Sequence, residues 1–166
     1  MASSVGSFQI TKATLTNLKD NMQPFVWQWS FVAPSYAKSA GDLLLVRPRV
    51  LGVESEGLLE TKEARKYPVE FPGPRHDSDS FTITIPAGYE VDELPPPTDI
   101  DYTFGSYHSK TVAEGNVLHY TRSLEIKQLS VPVTQAQDLK MFYRAIANDE
   151  RGTAVLKPAA TSSTSR

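Results

Sequence analysis

The sequence predicts a mainly β protein: an antiparallel two-layer β-sandwich with one C-terminal helix at about residues 135–148. Three observations carry this. Short stretches alternate apolar and polar residues, as strands with one buried face do. The 12 prolines are spread along the chain and cut it into short segments, which suits strands better than a helical bundle. Only one stretch, late in the chain, repeats its apolar residues at helical spacing.

The elements follow in order. Over residues 7–18, Phe8, Ile10 and Leu15 interleave with Gln9, Thr11 and Thr14 as a loose strand, and 17–23 is polar and turn-like. Residues 24–32 are aromatic and β-branched, with Phe25, Trp27, Trp29 and Phe31 on one face, the strongest strand signal in the chain. A loop at 33–42 leads into a short apolar strand at 42–47 that Pro48 ends. Residues 51–65 fit a short helix or a charged loop. Residues 67–71 form a short strand that Pro68 confines to an edge or a bulge. Arg75, His76 and Asp77 read as a polar turn, after which 80–85 alternates cleanly, with Phe81, Ile83 and Ile85 opposite Thr82 and Thr84.

Pro86, Ala87 and Gly88 turn the chain into Tyr89, Glu90 and Val91, and 94–97 is an extended, polyproline-like connector. Residues 101–109 and 117–126 form a hairpin joined around Glu114, Gly115 and Asn116. In the helix, Ala136, Leu139, Phe142, Tyr143 and Ile146 make one apolar stripe. Thr134 with Gln137 fits a capping box, and Gly152 is a terminator. These elements imply one domain over 7–158 between a disordered start, 1–6, and a disordered tail, 159–166.

The totals narrow the function classes. A formal charge of −2 gives no field to recruit nucleic acid. With no cysteine there can be no disulfide, thiolate metal site or cysteine nucleophile. The longest apolar run, Leu43 to Val46, is too short to cross a bilayer, and the first eight residues do not read as a signal peptide.

The candidate chemistry reads as structural. His76 is expected in a solvated turn. His108 and His119 could lie near one another on facing hairpin arms, where cross-strand packing explains them. Gly105, Ser106, Tyr107 and His108 have the residue types of a serine hydrolase but sit in strand-like sequence without the second glycine. Asp99 and Asp101, two apart, read first as solvated turn acids; the alternative is that they share a strand face as a weak calcium site or an acid–base pair. The residues therefore imply no catalytic group, metal or cofactor. A carbohydrate- or peptide-binding sandwich is the alternative function, and it would use Trp27, Trp29 and Tyr107 exposed on a concave face. A hydrolase or metal enzyme built on His108, His119, Asp99 and Asp101 is a third.

Several phrases together resemble a known family: residues 41–52, the run Arg65, Lys66, Tyr67, Pro68, Val69, the segment 81–91 with Ile85-Pro86-Ala87-Gly88-Tyr89, then 116–122 and 139–143. They resemble the C-terminal β-rich domain of uncharacterised bacterial transglutaminase-like proteins, over roughly residues 8–158. The resemblance implies a domain that follows a transglutaminase core and serves it by interdomain or protein–protein contact. It also implies a periplasmic or extracytoplasmic parent. That family's catalytic cysteine belongs to the preceding core, and this chain has none to receive the role.

Overall fold

The computed structural model describes residues 7–20, 22–23, 26–54 and 65–160, with the side chains of Trp27 and Trp29 left out of the description. The expectations for residues 1–6, 161–166, Phe25 and most of 51–65 lie outside the described residues. So do those for the two tryptophan side chains. The chain divides into two compact units, Met1–Tyr36 and Ala37–Arg166.

In the first unit, β1 (Gln9–Thr16) and β2 (Val26–Val32) form an antiparallel ribbon. The register sets Ile10, Ala13 and Leu15 opposite Phe31, Trp29 and Trp27. An irregularity between Ile10 and Lys12 adds one residue, so Ile10 stays in phase with Ala13 and Leu15 despite the odd spacing. Phe8 and Phe31 meet edge to face at 5.9 Å.

The second unit contains β3 (Lys38–Ala40), β4 (Leu43–Val46), β5 (Val69–Glu70), β6 (Arg75–Thr84), β7 (Tyr89–Glu93), β8 (Thr98–Tyr102), β9 (Gly105–Glu114), β10 (Val117–Ile126) and β11 (Ser130–Val131). A 3₁₀ turn (Val133–Gln135), the helix α1 (Ala136–Arg151) and β12 (Ala154–Pro158) complete it. All pairing is antiparallel. One four-stranded sheet runs β6-β10-β9-β8, the other β3-β4-β12-β7, and β11 pairs with β5. The architecture is mainly β with one C-terminal helix, in keeping with the sandwich expected from the sequence.

The first of these sheets has an apolar and a polar face. Tyr107 of β9, and Leu118, Tyr120, Leu124 and Ile126 of β10, turn to the buried side. Against that side α1 lays Leu139, Phe142, Tyr143 and Ile146, joined by Phe104 and Val131 in one core. Phe104 stacks on Tyr102 at 5.0 Å and meets Phe142 edge to face at 5.6 Å. The helix is therefore held by its apolar stripe rather than by intrinsic helix propensity.

Several local expectations change. The capping box is absent: Thr134 lies inside the 3₁₀ turn rather than at the cap, and Gln135, the N-cap, makes no side-chain cap bond. Gly152 does end the helix, with its N–H on Asp149 O. Arg75, His76 and Asp77 lie within β6 instead of a turn, because β10 continues far enough to pair with them through Ile126, Glu125 and Leu124. The first hairpin arm is 105–114, and Asp101 belongs to β8. The edge-strand reading of 67–71 shrinks to Val69 and Glu70. β12 was not foreseen.

Candidate functional site on the open sheet face

The polar face of the β6-β10-β9-β8 sheet carries most of the chemistry-bearing residues. Alternation puts Asp99 and Asp101 of β8, Ser106, His108 and Lys110 of β9, and His119, Thr121 and Ser123 of β10 on it, with His76 of β6. All three histidines of the chain thus share one face. A groove of about 390 Å³ lies there, where Pro97–Asp99, His108–Lys110 and Thr121–Ser123 run side by side.

At the rim of the groove, His108 is bracketed by carboxylates. Its Nδ1 lies 2.5 Å from Asp99 Oδ1, and its Nε2 lies 3.7 Å from Asp101 Oδ1. A neutral imidazole carries a proton on only one nitrogen, so one of these contacts sets a lone pair against a carboxylate. A cation held between these groups relieves that. The three side chains each bring a ligand atom within 4.8 Å of the others, a mixed N/O donor set of the kind divalent cations accept. Both aspartates are exposed, so the cluster is open to water and its charges are screened.

The expected proximity of His108 and His119 is not found. His108 stands opposite Ser123 and His119 opposite Val112. They are therefore four positions apart along the hairpin, about 13 Å at strand rise. His119 Nδ1 instead contacts Thr82 Oγ1 at 3.4 Å, and His76 Nε2 contacts Ser78 Oγ at 3.1 Å. Among the described residues, neither ring has a carboxylate within hydrogen-bond distance to orient it as a general base. Ser106, the serine of the hydrolase-like tetrapeptide, is buried and donates to Glu125 Oε2 at 3.5 Å rather than to an imidazole.

Tyr107, placed on a binding surface by the sequence reading, is fully buried and presents no ring to a ligand. The reason is its position on the core side of β9. The side chains of Trp27 and Trp29 lie outside the described residues.

What Tyr107 does is join a buried polar cluster that the sequence reading missed. Asp149, near the end of α1, accepts hydrogen bonds from Tyr107 at 2.5 Å, Tyr120 at 2.6 Å and Ser109 at 2.6 Å. Next to it Glu150 pairs with Arg49 at 2.8 Å and accepts the N–H of Glu54 at 2.6 Å. Burial pushes both phenols above the usual tyrosine range, and the Asp149 carboxylate raises them further. With three donors on it, Asp149 is an anchor for the helix end, not a free base. Its signal was present in the sequence: Asp149 and Glu150 continue the stripe of Tyr143 and Ile146 at helical spacing.

Comparison with known proteins bears on family and fold. Residues 42–156 match the model of a domain of unknown function with a solved structure, DUF3858. The chain belongs to that family. No curated protein matches it significantly in sequence. Its fold is similar to part of a crystal structure described as a "putative protease" from Parabacteroides distasonis, with a TM-score of 0.54 and 14% identity. That likeness covers 69% of this chain and 23% of the other, so the chain corresponds to under a quarter of the solved protein.

Proposed function

We propose that this DUF3858 chain is a non-catalytic accessory domain of a larger bacterial transglutaminase-like protein, acting through contact with its neighbouring module or another protein. The observation that carries the reading is the 23% coverage of the protease-described chain, which is how one module of a multidomain protein would match. The absence of cysteine supports it, since a transglutaminase-type nucleophile would have to come from elsewhere. So does the first unit. A two-stranded ribbon is marginal alone, and Ile10 and Leu15, on one face of it, are each more than half exposed. Apolar side chains so placed suit a contact surface.

The test is to read the segment that precedes this chain in its natural protein, produce it, and titrate it with the chain. A transglutaminase-like segment that binds saturably is expected. A different or absent neighbour, or no binding, would overturn the proposal.

A second reading is a binding module for a peptide or carbohydrate, favoured by the groove beside Asp99, His108 and Lys110. Saturation-transfer NMR with peptide and glycan pools would show transfer abolished by Lys110→Ala. A flat response across both pools would remove this reading.

A further inference from the structure

The β6-β10-β9-β8 sheet has an opening in its edge. β9 runs from Gly105 to Glu114, but β8 covers it only as far as Ser109, opposite Thr98. The connector before Thr98 does not continue along the sheet, because Pro95 packs against Gly152 at the end of α1.

The hydrogen-bond phase shows which groups this leaves unused. β9 and β10 meet in a two-residue turn, Gly115–Asn116, with Gly115 at φ 59° as a type II′ turn requires. Such a turn closes on a hydrogen-bonded pair, here Glu114 and Val117. Asn116 O accepts from Ile85 N on the far side, which fixes the same phase. Glu114, Val112 and Lys110 therefore bond inward to β10, while Ala113, Thr111, Ser109, Tyr107 and Gly105 point their N–H and C=O outward. β8 takes the last three. Thr111 and Ala113 keep an outward donor and acceptor each, with no backbone partner among the described residues.

The opposite edge of the sheet is protected differently. β6 points Asp77 and Asp79 toward the core side, inward charges of the sort that discourage edge pairing. The β9 step has no inward charge. Its exposed face reads Lys110, Val112, Glu114, a pattern complementary to itself when reversed.

We propose that β9 pairs with β9 of a second copy of this chain, antiparallel about a two-fold axis through Val112. In that register Thr111 faces the partner copy's Ala113, and the two exchange both backbone bonds, giving four across the axis. Val112 faces its own counterpart at the close, non-hydrogen-bonded spacing. Lys110 faces Glu114 at each end. Lys110 makes no ion pair among the described residues, and Glu114 approaches only His119, at 4.0 Å, so both charges are available. The Gly115–Asn116 tip of each copy then reaches the Pro97–Thr98 end of the other, beside the groove. A fit built on five residues a side is small and belongs to the weak, concentration-driven class.

Sedimentation equilibrium of the full chain up to about 1 mM tests this. A monomer–dimer equilibrium is expected. Lys110→Glu and Glu114→Lys should each weaken it at least about tenfold by opposing like charges. An equimolar mixture of the two variants should recover the dimer as a heterodimer, because each then supplies what the other lacks. Ala113→Pro removes only an outward N–H and should abolish dimerisation without changing the circular dichroism spectrum. A chain that stays monomeric to about 1 mM, or a dimer indifferent to both charge reversals and to Ala113→Pro, overturns the proposal.

Discussion

Asp149 gathers the hydroxyls of Tyr107, Tyr120 and Ser109, and each donor sits on a strand that the helix covers. Hydrogen bonds to a charged acceptor contribute about 1.5–3 kcal/mol apiece, and orphaned buried donors cost more than the bond itself. Asp149→Ala is therefore expected to lower the unfolding free energy by about 3 kcal/mol or more in urea denaturation. Tyr120→Phe, which removes one donor and leaves no orphan, should cost about 1–2 kcal/mol. The same cluster sets a pH response. Both phenols have folded pKa values raised above the unfolded value, by burial first and by Asp149 second. Their stabilising contribution is complete below the unfolded pKa and is lost as pH rises beyond about 10. Thermal melts should show a steeper alkaline loss of stability in the native chain than in Tyr107→Phe/Tyr120→Phe.

At the scale of elements, the β9–β10 hairpin shows how pattern and geometry agree. Gly105 opens β9 where a Cβ would lie 2.5 Å from the backbone oxygen of Glu125. No side chain fits there without separating the strands. Gly105→Ala should destabilise the fold by about 2–4 kcal/mol, and Phe142→Ala, which empties the centre of the helix stripe, by about 3–5 kcal/mol. Chemical denaturation measures both.

Much of this scale was legible in the sequence. The stripe of Leu139, Phe142, Tyr143 and Ile146, the 115–116 turn and the alternation of Phe81 and Ile83 all carry local periodicity. The length of β6 was not legible, because Asp77 and Asp79 on its inward face look like a polar turn until Arg122 is seen donating to Asp79 at 2.6 Å. β12 was missed for a related reason. Ala154 to Pro158 pairs with Val46 and Tyr89, which are remote in sequence, and local pattern does not report remote partners. The carboxylates around His108 were half legible. A shared face for Asp99 and Asp101 was only the alternative to solvated turn acids, and their meeting with His108 depends on the β8–β9 register.

For the whole molecule, the division at Tyr36 gives a clear expectation. The 37–166 fragment contains both four-stranded sheets, the helix and the family match, so it should fold without the first unit. A two-state melt with native near-ultraviolet dichroism would show this, and loss of cooperativity would show that β1 and β2 complete its core. An accessory domain that works by contact should turn nothing over, however suggestive the cluster of Asp99, Asp101 and His108 is. The most direct measurement is therefore to assay the purified chain, with and without added divalent cations, for peptide hydrolysis and for amine incorporation into a glutamine-bearing peptide. His108→Ala serves as the paired control. The account predicts no turnover above buffer for either protein. Turnover by the native chain that His108→Ala removes would contradict it.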